Sequence, residues 1–385
     1  MRRVLFWLHL AVGAVFGIGI GFLALTGMML APERQVMQAA ESGISAAPPY
    51  AGAAYLPVEE LERRAAALCA APPGQIVYFS RPNAPVMFQI DRFHVLYMNP
   101  YTGASLGSGA LRWRAFFSSV EGLHRWFGTW GMAREPARHL QGAFALGLSF
   151  LLLSGCALWW PRVLDWRHFR NVALFRSRTS GRARHWNWHN VVGIWCAPLL
   201  LISALTGIVL RYQTASNLVY RSMGDTPPGP DHVFNPAGAA RLLAARPRWQ
   251  PAVDRALRWE PEWTMATMNF PDAKGAPIVF VLDSGNGGKP QDQGHLELDQ
   301  ASGSVLRWLP FSRLTHGEQL RELARWSHTG EAGGGIGQAA VCIGATGGLL
   351  LSYTGLLLAL DRLRSYRSRR RRRSEQQRPA EMAVN

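Results

Sequence analysis

Histidine is the side chain that most often ligates a transition metal or moves a proton near neutral pH. Two of the 11 in this chain stand in matched surroundings. Moving 180 positions along the sequence carries His9, Gly13, Leu25, Thr26 and Gly27 onto His189, Gly193, Leu205, Thr206 and Gly207. Both histidines open long apolar runs, where an imidazole needs a partner. Each is followed four residues later by glycine, one helical turn on and on the same face, so a side chain is missing where a flat macrocycle would lie against the helix. Two imidazoles at equivalent positions, each with this clearance, fit bis-histidine ligation of one haem iron. A low-dielectric setting keeps imidazole neutral, the form that iron accepts. A lone histidine here would more often bond only to backbone or to a lipid headgroup, and it is the matched pair that favours ligation. Gly13, Gly17 and Gly21 also read as a small-residue packing stripe, and both readings stand.

A second correspondence, at an offset of 200, relates Ser154-Gly155 to Thr354-Gly355, each after a leucine run. Upstream of these, Leu123-His124 corresponds to Ser327-His328 with slightly different spacing. His124 and His328 are therefore a candidate second ligand pair, although both lie in amphipathic, tryptophan-bearing segments of the kind that rest on a membrane surface. His139 is the alternative to His124, but the residue 200 positions beyond it is Ala339. His94, His168, His185, His232, His295 and His316 have no metal-site spacing and read as surface or satisfied residues. No Cys-x-x-Cys-His stretch occurs, which favours b-type over c-type haem. No phosphate loop, nucleophile elbow or His-Glu-x-x-His run supports a hydrolase or nucleotide-binding reading.

Four stretches, 6–30, 140–160, 191–210 and 337–360, reach the length of about 20 apolar residues that a bilayer core requires. The first is read as a retained helix; its apolar part is longer than the core of a cleaved signal peptide. The net charge of +16 gathers beside these stretches, in Arg2 and Arg3, in Arg162, Arg167, Arg170, Arg176, Arg178, Arg182 and Arg184, and in the block from Arg369 to Arg373. Such positive flanks place both termini and the loop 162–188 in the cytoplasm and favour anionic lipid over nucleic acid as the partner of the terminal block. Trp159, Trp160, Trp166, Trp186 and Trp188 read as an interfacial belt. Of the four cysteines, Cys156, Cys196 and Cys342 lie in apolar runs as small hydrophobes.

The resulting division is 1–31 helix, 32–137 first periplasmic α+β domain with its approach segment, 138–161 helix, 162–188 basic loop, 189–211 helix, 212–334 second α+β domain with its approach segment, 335–361 helix and 362–385 basic tail. In the first domain a helix over 56–68 precedes strands at 76–79, 86–90 and 95–98 and the turn Asn99 to Gly103. In the second, a helix over 237–245 precedes strands at 265–270, 278–282 and 295–298 and the turn Asp299 to Gly303, with a flexible loop at 285–290. The expected fold is an α-helical membrane protein, a four-helix bundle made of two parallel repeats about an axis along the membrane normal, carrying two periplasmic α+β domains.

Over nearly its whole length the chain resembles the PepSY-associated transmembrane proteins, also called iron-regulated membrane proteins. The matching features are His9 with Leu25-Thr26-Gly27, Leu123-His124-Arg125-Trp126, Leu153-Ser154-Gly155 through Trp159-Trp160-Pro161-Arg162, Trp188-His189 with Leu205-Thr206-Gly207, Ser327-His328-Thr329-Gly330, and the Asn99 to Gly103 turn of a PepSY-like domain. It departs from that pattern in extra residues around 130–136 and in Ser327, where the family usually has leucine. Better understood members look like dihaem ferric-siderophore reductases of the bacterial inner membrane. The resemblance implies two haem b groups that carry electrons from a cytoplasmic or quinol donor to a periplasmic ferric siderophore or other iron chelate. It transfers no substrate-binding residues. A second reading is that the PepSY-like domains bind or inhibit a periplasmic peptidase or ligand and the helices are an anchor, though an anchor needs no matched intramembrane histidines. A third is an electron conduit to another periplasmic acceptor.

Overall fold

The computed structural model describes residues 1–69, 71–160, 166–229, 235–245 and 248–382, without the side chains of 167, 168, 171, 243 and 371–382. Arg162 and His232 lie outside the described residues, as do the side chains of Arg167 and His168.

The chain runs through α1 (Arg2–Leu30), α2 (Glu33–Glu41), α3 (Val58–Leu68), β1 (Gln75–Phe79), β2 (Val86–Gln89), β3 (Val95–Met98), β4 (Ser105–Gly107), α4 (Leu111–Trp126) and α5 (Arg134–Trp159). It continues with α6 (Trp166–Ala173), α7 (Gly181–Arg211), α8 (Gln213–Ser222), α9 (Pro236–Ala244) and α10 (Gln250–Trp259). It closes with β5 (Met265–Asn269), β6 (Ile278–Asp283), β7 (Gln293–Leu298), β8 (Val305–Pro310), α11 (His316–Thr329) and α12 (Gly334–Met382). Two compact units result: Met1–Ala31 and Glu121–Tyr212 with the chain from Gln338 onward, and Pro32–Val120 with Gln213–Gly337.

In the first unit, α1, α5, α7 and α12 are long and apolar enough to cross a membrane. They contain the four apolar stretches and extend beyond them, because the polar flanks continue the helical hydrogen bonding. Val15, Ile18, Leu146, Leu153, Ile202 and Ile343 remain exposed, an apolar exterior suited to lipid. Small residues let the helices approach closely: a Cβ on Gly17 would lie 3.2 Å from Leu356, and one on Gly344 would lie 3.1 Å from Leu199. At the amino-terminal end, Arg2 Nη2 donates to the carbonyls of Ala157, Leu158 and Trp160 at 3.3, 3.1 and 2.5 Å. These are acceptors that α5 leaves unsatisfied at its C-terminus, where the helix dipole also favours a cation.

The second unit differs from the expectation of two separate α+β domains. The strands of both loops form one antiparallel sheet, ordered β4-β3-β2-β1-β5-β6-β7-β8. Its centre is the pairing of β1 with β5, from Gln75 opposite Asn269 to Phe79 opposite Met265. Each loop alone would leave one long strand with a row of open backbone groups, and this pairing satisfies both rows. A single core follows, in which Leu61 and Ala65 of α3 and Val253 and Ala256 of α10 pack with Ile76, Phe88, Met268 and Phe280.

The helix expected over 237–245 exists as α9, but the helix that covers the sheet beside α3 is α10. Its buried residues are Ala252, Val253 and Ala256, with Leu257 half-buried beside them, a stripe of mostly small side chains that does not stand out in sequence. The two covering helices complete each other's N-termini: Gln250 Oε1 accepts from Val58 N at 2.8 Å, and Glu59 Oε1 accepts from Gln250 N at 2.9 Å and from Trp249 N. The two expected turns match bond for bond. Asn99 Oδ1 accepts from the amides of residues 101 and 102, and Asp299 Oδ1 from those of 301 and 302. Gly103 and Gly303, at φ of 69° and 65°, supply the left-handed residue that closes each turn.

Candidate functional site

His9 on α1 and His189 on α7 meet inside the helical unit. Their ring centroids are 6.4 Å apart and their planes are inclined by 87°. A metal–imidazole bond is about 2.0 Å and a ring nitrogen lies about 1.1 Å from the ring centre, so two imidazoles ligating one ion from opposite sides have centroids about 6.2 Å apart. The spacing therefore fits one shared metal ion. The edge-to-face inclination also lies within the ordinary range of ring pairs, about 4.5–7 Å between centroids.

The neighbouring helices fix the tautomer of each ring. His9 Nδ1 is 2.8 Å from Ser154 Oγ on α5, and His189 Nδ1 is 3.0 Å from Thr354 Oγ1 on α12. Both hydroxyls already donate their single proton within their own helices, Ser154 to the Phe150 carbonyl at 2.6 Å and Thr354 to the Leu350 carbonyl at 2.7 Å. Toward the histidine each oxygen can therefore only accept, so Nδ1 carries the proton and Nε2 carries the bare lone pair. This is the outer-shell arrangement that orients a metal-ligating histidine and raises its basicity. The glycine after each hydroxyl residue makes room for the ring: a Cβ on Gly155 would lie 3.4 Å from His9 Cε1, and one on Gly355 would lie 3.2 Å from His189 Cε1.

The same device recurs at the far end of the unit. His124, in the last turn of α4, places Nδ1 2.8 Å from Thr26 Oγ1, while Thr26 donates to the Phe22 carbonyl at 2.9 Å. A Cβ on Gly27 would lie 3.4 Å from His124 Cε1. Residues 9 and 26 are 17 apart on α1, a separation of about 26 Å along the helix axis. Past His124 the chain reverses through Phe127 and Gly128 at φ of 52° and 73°. Phe127 has a side chain in a region that favours glycine, and its stacking on Phe22 at 5.6 Å holds it there.

With this geometry in place, the family model for the PepSY-associated TM region matches residues 6–362. The chain belongs to that family. No curated protein matches it. As a PepSY-associated membrane protein it carries a Ser/Thr-Gly pair beside His9, His189 and His124 alike. A fourth such pair, Thr206-Gly207, has its hydroxyl proton donated to the Ile202 carbonyl at 2.6 Å. His328 lies in the last turn of α11, half-buried, in the other unit. His139 is exposed in the first turns of α5; its ring lies 6.5 Å from that of Tyr212, and among the described residues no hydroxyl bonds to it. Among the described residues no group of three or more His, Cys, Asp or Glu side chains could hold a metal ion.

The structure also separates the two readings of the glycines. Gly17 and Gly21 are packing positions, where a Cβ would come within 3.2 Å of Leu356 and 3.1 Å of Ser352. At Gly13 and Gly193 a Cβ would meet one leucine methyl at 3.7 and 3.6 Å, an ordinary contact, so helix packing does not demand glycine at either. The residues that sequence reasoning left without a role are Ser154, Thr354 and Thr26. Their recurrence beside glycine at fixed offsets was the available signal.

Proposed function

We propose that this PepSY-associated protein is a dihaem b-type oxidoreductase of the bacterial inner membrane, passing electrons from a cytoplasmic or quinol donor to a periplasmic ferric siderophore or similar iron chelate. The observation that carries this reading is the pair of imidazoles at 6.4 Å, each with its Nε2 lone pair freed by a hydroxyl on a neighbouring helix. In this reading His9 and His189 would hold the iron of one haem. His124 would hold a second, and His328 is its counterpart in the sequence repeat. Bound haem iron supplies reversible one-electron chemistry at each end of the bundle. The chain's own residues do the rest. Ser154, Thr354 and Thr26 hold the ligand tautomers, Gly155, Gly355 and Gly27 admit the rings, and Gly13 and Gly193 leave space on the ligand-bearing faces. The apolar helices keep water from the sites and so favour the less charged reduced form. The two halves, helix, covering helix with strands, histidine segment and helix, form parallel repeats with both termini in the cytoplasm, where the arginine flanks favour them.

The test is a pyridine haemochrome assay on protein purified from haem-replete cells. Two haems per chain are expected. His9→Ala and His189→Ala should each remove one, whereas His168→Ala and His185→Ala should remove none. Equal haem content in all four variants would overturn the ligand assignment, and colourless wild-type protein would overturn the redox reading.

A further inference from the structure

The end of the helical unit that holds His124 carries a charge imbalance that the ligand set leaves unexplained. Arg211, the last residue of α7, is only 9 % exposed. Its Nε donates to the Arg138 carbonyl at 3.0 Å and its Nη2 to the Arg125 carbonyl at 3.3 Å. In return, Arg138 Nη2 donates to the Arg211 carbonyl at 3.1 Å. The Arg125 carbonyl ends α4 and Arg211 ends α7, where the helix dipoles favour a cation, but a dipole end carries only a fraction of the charge of a carboxylate. Of the three arginines, Arg125 is paired with Glu121 at 2.7 Å, and Arg138 has the exposed Glu135 at 3.7 Å. Among the described residues no carboxylate lies within ion-pair distance of Arg211, and its Nη1 donates to none of them. A guanidinium taken out of water without an anion is costly, and natural proteins rarely leave one so.

The corresponding helix crossing of the second half shows that the charge is not needed to hold the helices together. The counterpart of Arg138 is Gln338 and that of Arg211 is Ala31, and Gln338 Nε2 donates to the Ala31 carbonyl at 3.0 Å. The same inter-helix hydrogen bond therefore forms there with no cation at all. The two positive charges are an addition, present at one crossing and missing from its counterpart. They are also adjacent to a candidate ligand, since the Arg125 carbonyl that anchors Arg211 belongs to the residue after His124.

We propose that Arg211 and Arg138 form a carboxylate-binding site that takes the propionates of the haem held by His124. The inference rests on the dihaem reading above and adds the orientation of that haem. Haem b carries both of its carboxylates on one edge, so cations are needed on one side of it only. A planar guanidinium with a free Nη1 edge suits a carboxylate better than any other side chain. The arginines thereby select one of two otherwise equivalent ways for the macrocycle to enter.

The experiment uses the full-length protein in detergent and compares wild type with Arg138→Gln/Arg211→Gln, in which glutamine at 138 copies Gln338 and can keep the inter-helix hydrogen bond, so the variant should fold. Arg211→Lys and His124→Ala are the companions. Haem per chain, the midpoint potential of each haem by spectroelectrochemical titration, and co-purifying phospholipid are measured. In the double Gln variant one haem should lose occupancy, or its redox equilibrium should shift toward the oxidised form by about tenfold, about 59 mV for a one-electron couple. The other haem should be unchanged. Arg211→Lys should fall between, and adding the double change to His124→Ala should shift nothing further. Wild-type protein with two haems whose count and potentials survive the double change would overturn this inference and leave the dihaem reading intact. Loss of bound phospholipid with unchanged potentials would do the same, assigning the arginines to a lipid headgroup. Colourless wild-type protein would overturn both.

Discussion

Removing the two hydroxyls that hold His9 and His189 is the most direct probe of the proposed site. Ser154→Ala and Thr354→Val keep helix packing nearly isosteric while deleting the acceptors at 2.8 and 3.0 Å. A hydrogen bond of this kind contributes about 1 kcal/mol net, and here its contribution is the preference for the tautomer that leaves Nε2 unprotonated and aimed inward. Two such losses amount to about 2 kcal/mol, or roughly 30-fold in the equilibrium constant, within the 10–100-fold span typical of outer-shell ligand partners. The assay is the rate at which haem passes from the purified protein to a scavenging apoprotein. The double variant should release one haem roughly 30-fold faster and the other at the wild-type rate. Thr354→Ser, which keeps an acceptor, should behave as wild type. If Ser154→Ala/Thr354→Val retains both haems as tightly as the parent, the tautomer argument fails.

Gly13→Ala should leave thermal stability unchanged, since its Cβ meets only Leu151 at 3.7 Å, yet should lower haem content. Gly355→Ala should displace the His189 ring, because its Cβ would stand 3.2 Å from Cε1; spectral line shape and haem count report both changes. Glu62 on α3 tests the sheet unit. It is buried, Oε2 lacks a partner among the described residues, and burial followed by the charge of Glu59 pushes its carboxyl up to about 8. The folded state therefore holds the proton while the unfolded state releases it above the usual glutamate range, so this residue lowers stability progressively between about pH 4.5 and 8 and no further above that. At about 1.36 kcal/mol per pH unit the ceiling is roughly 4–5 kcal/mol. Glu62→Gln should raise the unfolding midpoint of the full-length protein at pH 8.5 and converge with wild type near pH 4.5. An equal gain at both pH values would contradict the burial argument.

Much of the fold is legible in the residues because membrane spans and turns are written locally. Four runs of about 20 apolar residues and the Asn99 to Gly103 turn need no distant partner to be recognised. The long-range pairing of β1 with β5 leaves no local trace, since the apolar run Ile76 to Phe79 marks a strand without naming its partner. β4 is three exposed residues, and β8 is only half-buried, so neither has the apolar alternation that marks a strand. In the site, the histidine pair is visible as an offset of 180. The roles of Ser154 and Thr354 emerge only when α5 and α12 are packed beside α1 and α7, because a serine in a leucine run is otherwise indistinguishable from one bonded to its own helix.

The join between β1 and β5 also sets a timetable for biogenesis. Gln75 is synthesised 194 residues before its partner Asn269, and at about 5–20 residues per second the interval is about 10–40 s. Throughout that delay the first loop presents an unpaired strand margin. A holding chaperone, or slow delivery of the second hairpin, becomes a selective pressure on the organism, and separately expressed halves of the chain would aggregate before they met.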